Sequence, residues 1–170
     1  PKDVAEELKR TGKSKPRKFE HVTILFTDFI DFTKISEKMS PEELVTEINT
    51  CYQNFDRIIE KRGAEKIKTI GDAYMAVDGF GKERGIAAKN ILLSAFDIIH
   101  FVERQKNQNV DLGKPAFEIR VGIHTGNVIA GIVGEKKFQF DIWGSAVNTA
   151  SRMENHSDVG KVNISQVTYE

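Results

Sequence analysis

The chain has 170 residues, 39% of them hydrophobic, and its 25 Lys+Arg balance 25 Asp+Glu, which is enough apolar material for one domain with its own core. With no net charge there is no electrostatic case for general nucleic-acid binding, so any polyanion is to be met locally. The single Cys51 excludes an internal disulfide and a multi-cysteine metal site and suits a reducing cytosol; no run reaches transmembrane length and no signal-peptide pattern opens the chain.

Val4, Ala5 and Leu8 stand at helical spacing and predict a short helix over 2–10. Residues 11–18, with Lys13, Lys15, Arg17 and Lys18, read as a solvated basic linker rather than a membrane contact, which places the folded domain at 19–170. The β-rich run 21–27 is nearly continuous in apolar residues, as in a central strand covered on both faces. Ser40, Pro41 and Glu43 combine an N-cap, a proline at the first helical position and a capping-box glutamate; the helix they start runs to Arg62, where Gly63 stops it. Leu44, Ile48, Cys51, Phe55 and Ile58 form its core stripe.

Residues 64–70 and 73–77 read as strands joined by the two-residue loop Gly71-Asp72. After a loop with Gly79, Gly81 and Gly85, a helix over 86–105 turns Ile91, Ala95, Ile98 and Val102 inward. Three strands are expected over 117–125, 128–133 and 138–143, divided by Gly126-Asn127 and by Glu135-Lys136-Lys137. A helix over 145–154 and a strand over 161–164 follow. The order β-α-β-β-α-β with an added hairpin is that of a ferredoxin-like α+β sandwich.

Two apolar runs end on an aspartate, Asp28 and Asp72. Such a carboxylate is either an ordinary turn or cap residue, or it needs a counter-charge. A shared divalent cation supplies one, and oxygen ligands without nearby Cys or His favour Mg²⁺ or Mn²⁺ with substrate phosphates completing the shell. The glycines match neither a dinucleotide fingerprint nor a Walker A loop. Phosphate is therefore expected at the run Phe29, Ile30, Asp31, Phe32 and Thr33, whose amides would open a helix.

Asn148 and Arg152 share a helix face four residues apart and can reach one oxygen-rich ligand, the alternative for Arg152 being a surface salt bridge to Glu154 or elsewhere. Lys66 and Lys68 should point to one side of their strand. Asp141 sits between Phe140 and Ile142 in an apolar strand and needs a partner. That partner is either Lys68 in a plain ion pair, or a base edge shared with it: adenine presents a ring-nitrogen acceptor and an amine donor that suit a lysine and an aspartate, and guanine the reverse. His21, His100, His124 and His156 have no metal-ligand spacing and read as structural.

Together the segments 24–29, 66–74, 120–126 and 140–144, followed by Asn148 and Arg152, resemble in the same order the catalytic domain of class III nucleotidyl cyclases, from Phe19 to Glu170. The resemblance implies that Asp28 and Asp72, with the Phe29 carbonyl, hold two Mg²⁺ or Mn²⁺ ions per site. It makes Lys68 and Asp141 the base-selecting pair, of adenylate type where guanylate cyclases place Glu and Cys. Asn148 then orients the ribose and Arg152 stabilises the transition state. The implied activity converts ATP to cyclic AMP and pyrophosphate in a head-to-tail homodimer, each protomer holding half of each site.

A further triphosphate-binding lysine of that family would follow Glu170. The opening at Pro1 and the N-terminal linker lead us to expect a cytoplasmic piece of a longer protein, soluble or membrane-attached, with a regulatory domain upstream. The alternatives are a guanylate or mixed-specificity cyclase and a degenerate module that binds nucleotide and dimerises. A diguanylate cyclase or polymerase palm shares the two-carboxylate logic, but Asp72 is followed by Ala73-Tyr74 and the Gly-Gly-Glu-Glu-Phe hairpin is absent.

Overall fold

Strand β1 (Arg17–Phe29) runs through the middle of the sheet, with β3 (Ala73–Asp78) antiparallel on one side and β4 (Ile119–Val133) antiparallel on the other. The computed structural model describes residues 15–134 and 137–170; the expected helix over 2–10, the start of the linker, and Glu135 and Lys136 lie outside the described residues. The strand path is β2-β3-β1-β4-β5, where β2 is Glu65–Ile70 and β5 is Gln139–Trp143, and β6 (Val162–Ile164) pairs parallel with the first half of β4. The first four strands keep the ferredoxin-like order 2-3-1-4, as expected. The β4–β5 pairing is the added hairpin.

Helix α1 (Phe32–Ser36) follows β1 directly, and α2 (Pro41–Lys61) starts at the expected capping box: Glu43 N donates to Ser40 Oγ at 3.2 Å and Ser40 N to Glu43 Oε2 at 2.8 Å. Helix α3 (Arg84–Asp111) joins β3 to β4; α4 (Ser145–Asn155) and the short α5 (Gln166–Tyr169) close the described chain.

Side chains alternate along β1, so both faces are buried. Leu25 and Phe29 join Tyr74, Ala76, Val121 and Ile123 beneath α2 and α3, which contribute Phe55, Ile59, Ile91, Ala95 and Ile98. Val22, Ile24 and Phe26 join Met75, Val77, Val128 and Ala130 beneath Ala146 and Ala150 of α4. Each large apolar side chain buried this way is worth about 1.5–3 kcal/mol. By length and composition α3 is a candidate to cross a bilayer, which departs from the sequence expectation, but Ala87, Ile91, Ala95, Ile98 and Val102 are turned onto the sheet as a core face.

Three further expectations are corrected. β1 begins at Arg17, inside the supposed linker: Arg17, Lys18 and Phe19 pair with Ala130, Ile129 and Val128 across a bulge before Val22, where His21 takes φ 56° and its amide donates to Asn127 Oδ1 at 3.3 Å. The strands expected over 117–125 and 128–133 are one strand. Gly126 is there for space, since a Cβ on it would stand 2.7 Å from that of Ala146. Gly122 is tighter still: its Cβ would fall 1.9 Å from the Glu154 amide nitrogen, so α4 lies directly on the β4 backbone. Finally, α3 continues six residues beyond the expected end, to Asp111, before Gly113 at φ 67° turns the chain.

Candidate active site

Strand register brings the two predicted acids together. Asp28 is the cross-strand partner of Ala73, and Asp72 immediately precedes Ala73 in the turn opened by Gly71 at φ 61°. Burial first, then the neighbouring Asp72 carboxylate, raises the Asp28 carboxyl above the ordinary range; Arg120 pulls it partly back. Arg120 is the partner of Asp28 on the other flank, in β4, with Nη2 3.5 Å from Asp28 Oδ2.

The same guanidinium stands 3.0 Å through Nε from Oε1 of Glu154, a residue only 4% exposed, yet neither atom finds an aligned hydrogen-bond partner. Burial raises the Glu154 carboxyl; Arg120 opposes this, while Asp28 and Asp72 add to it. One cation thus faces two acids, Asp28 and Glu154, with Asp72 adding its charge behind them. Glu154 is paired with Arg120, so the Glu154 partner weighed for Arg152 from the sequence is taken by another arginine.

Among the described residues no group of three or more His, Cys, Asp or Glu gathers into a metal cage. Two adjacent carboxylates whose mutual repulsion is only partly compensated fit a hard divalent cation that takes its remaining ligands from substrate oxygens. Phe29 offers only its backbone, since its ring is 3% exposed and packs on Phe117 at 4.8 Å between centroids.

The expected phosphate loop is partly committed elsewhere. The Ile30 amide donates to the Glu118 carbonyl at 2.9 Å, and the Phe32 ring packs on Phe117. Asp31 is the left-handed residue before α1, at φ 50°, with its carboxylate 2.8 Å from Lys34. Thr33 is exposed in the first turn of α1.

Lys68 Nζ meets Asp141 Oδ2 at 2.5 Å. Asp141 is 6% exposed, and its second oxygen accepts from the Ile142 amide at 2.8 Å. The expectation that Lys66 and Lys68 share a side is corrected by a bulge between them, which sets Lys66 opposite Ala76 and Lys68 opposite Met75. Lys66 accordingly reaches Asp56 of α2 at 2.9 Å, on the other face of the sheet. Asn148 and Arg152 lie one turn apart on α4, both exposed and both clear of the stripe formed by Ala146, Ala150 and Glu154.

Residues 14–170 match the family model for the adenylate and guanylate cyclase catalytic domain. The chain belongs to that family. This cyclase domain is 37% identical over 170 residues to a receptor-type guanylate cyclase of Caenorhabditis briggsae, covering 99% of the chain and 14% of the nematode protein. It is 35% identical over 171 residues to an adenylate cyclase of Mycobacterium tuberculosis, covering 100% of the chain and 38% of that protein. It therefore spans well under half of those relatives. In structure it superposes on the adenylyl cyclase CyaB from P. aeruginosa with a TM-score of 0.85 at 28% identity, over 91% of this chain and 81% of that one.

Both nucleotide types occur among these relatives, so the family alone does not choose the base. Beside the candidate acids stands a pair that the sequence reading missed, Arg120 and Glu154. A signal for each was present. Arg120 interrupts the run Ile119-Arg120-Val121-Gly122-Ile123, and Glu154 extends the spacing of Ala146 and Ala150 by another four residues, where a buried stripe continues.

Proposed function

We propose that this cyclase domain converts ATP to cyclic AMP and pyrophosphate, in a head-to-tail homodimer. The observation that carries the choice of base is the Lys68–Asp141 pair, an ammonium and a buried carboxylate side by side at 2.5 Å. The ammonium donates to the adenine ring nitrogen and the carboxylate accepts from the exocyclic amine, while guanine presents the opposite polarity to both.

Asp28 and Asp72, with the Phe29 carbonyl, would hold two divalent cations, Mg²⁺ or Mn²⁺; such ions lower the pKa of an attacking hydroxyl and neutralise leaving phosphates. The reaction is in-line attack of the ribose 3′-oxygen on the α-phosphorus, with loss of the hydroxyl proton and cleavage of the bond to pyrophosphate. Arg120, already beside Asp28, balances the acids before substrate arrives. The Phe32 and Thr33 amides face the phosphates at the start of α1. Asn148 orients the ribose and Arg152 stabilises the charge that grows on the phosphoryl oxygens.

The exposure of Asn148 and Arg152 supports their acting on nucleotide held by the acids of the other protomer. The exposed apolar side chains Ile129, Phe138 and Trp143 on the β4–β5 hairpin support a dimer face there. A regulatory domain upstream in a longer, cytoplasm-facing parent accords with the small share of its relatives that the chain spans. The test is to supply purified protein with Mn²⁺ and either ATP or GTP. Cyclic AMP is expected to dominate. Cyclic GMP formed at an equal or greater rate overturns the base assignment in favour of the guanylate reading, and no turnover with either favours a binding module.

A further inference from the structure

Tyr52 of α2 touches both chain segments that carry the acids. Its hydroxyl donates to the Gly71 carbonyl at 3.2 Å, immediately before Asp72. Its ring is stacked on Phe29, the residue after Asp28, at 6.2 Å and 24°, and lies 5.8 Å from Tyr74, two residues after Asp72. Gly71 is exposed, and a Cβ built on it would meet nothing within 4 Å.

A hairpin tip held only by its own ladder frays, and a half-angstrom of play in one carboxylate is enough to loosen a metal shell. The Tyr52 hydroxyl carries one proton to donate, and the Gly71 carbonyl receives it. A carbonyl is the partner such a donor requires.

We propose that Tyr52 is a positioning residue that sets the separation of Asp28 and Asp72 and thereby the affinity of the divalent-cation site they form. The proposal rests on the reading that these two acids hold metal. Tyr52 does not touch nucleotide or metal; it acts through the Gly71 carbonyl and the Phe29 ring. The hydroxyl tunes the turn, and the ring keeps α2 seated on β1.

The experiment is a Mn²⁺ titration followed by electron paramagnetic resonance, with 3′-deoxy-ATP present so that no turnover occurs. Tyr52→Phe is expected to weaken Mn²⁺ binding about three- to tenfold, the equivalent of one hydrogen bond. In steady state it should raise the Mn²⁺ concentration for half-maximal rate while the rate at saturating Mn²⁺ returns near that of the parent. Tyr74→Phe is the control, because it removes a hydroxyl bonded to Asp56 at 2.7 Å within the same aromatic cluster and away from the turn.

Unchanged Mn²⁺ affinity in Tyr52→Phe overturns the proposal, as does an equal loss in Tyr74→Phe, which would mark a general packing effect. Asp72→Asn separates the two layers. If it retains full Mn²⁺ affinity, the metal reading fails and the proposal with it; if it loses affinity and Tyr52→Phe does not, the proposal alone fails.

Discussion

Lys68, on the β2 edge of the sheet, closes to 2.5 Å on Asp141, on β5 at the far end of the strand path. The sheet is curled enough for its two ends to meet, and the meeting point is a charged pair with one member nearly dry. Both oxygens of Asp141 are engaged, one by Lys68 and one by the Ile142 amide. A base edge that enters here has to satisfy a fixed donor and a fixed acceptor together.

Exchanging Lys68→Glu together with Asp141→Cys is expected to lower the ratio of cyclic AMP to cyclic GMP formation by at least about tenfold, since an unmatched polar group in a base pocket discriminates by as much as roughly 10⁴. The ratio is read from product analysis with both nucleotides in competition. An unchanged ratio removes the pair from base selection.

Removing one member should also destabilise the fold. Lys68→Met leaves Asp141 buried without its cation, a loss on the order of 3 kcal/mol for a pair of this burial. The double variant Lys68→Met with Asp141→Leu should recover most of it, because both charges are gone. Urea unfolding of the three proteins measures this, and a single variant as stable as the parent contradicts it.

The acid pair gives a pH prediction. Asp28 and Glu154 both titrate above their ordinary range in the folded protein, so the folded state binds more protons than the unfolded state between the two values. Without metal, the protein is expected to lose stability as pH rises from the ordinary carboxylate range through those raised values. Asp28→Asn should therefore melt higher than the parent in EDTA at neutral pH, by about 2 °C for a domain of this size, with the difference vanishing in acid. Catalysis should fall by about a thousandfold or more in the same variant, a loss typical of deleted charge stabilisation at a reacting phosphorus. A melting advantage that grows toward acid would contradict the argument.

Arg120 faces Asp28 at 3.5 Å and Glu154 at 3.0 Å. Arg120→Met leaves their negative charge uncompensated and should lower the melting temperature in EDTA by about 6–12 °C, corresponding to roughly 3 kcal/mol. Added Mn²⁺ should restore part of the loss. Calorimetry with and without the metal tests both halves of the expectation.

The proposed head-to-tail arrangement predicts complementation. Asp72→Asn and Arg152→Ala should each be inactive. Mixed after exchange of subunits, they should recover about a quarter of parent activity, since about half the dimers are mixed and one of two sites in each is intact. No recovery, with mixed dimers shown by mass spectrometry, places both residues in the same half of one site.

Much of this was legible because local chemistry and tertiary context agree. The capping box at Ser40 and Glu43, the stop at Gly63 with φ 68° and the Gly71-Asp72 loop are decided within a few residues of chain. The misreadings within the sheet come from partners distant in sequence and from bulges. Gly126-Asn127 has the composition of a turn, but Ala146 requires the small residue and Asn127 serves the bulge at His21. Lys66 and Lys68 obey the period of two only if the strand is regular, and their sides are set by a bulge that sequence does not announce. Asp28 and Asp72 could be paired with each other from motif order, whereas Arg120 enters only through the β1–β4 register.

β1 joins two distant parts of the molecule. It has 13 residues, close to 40 Å by the usual rise, with Arg17 at one end and Asp28 beside the other. The bulge around His21 divides that length into two ladder segments, so the β4–β5 end and the acid end share one strand without forming one rigid bar.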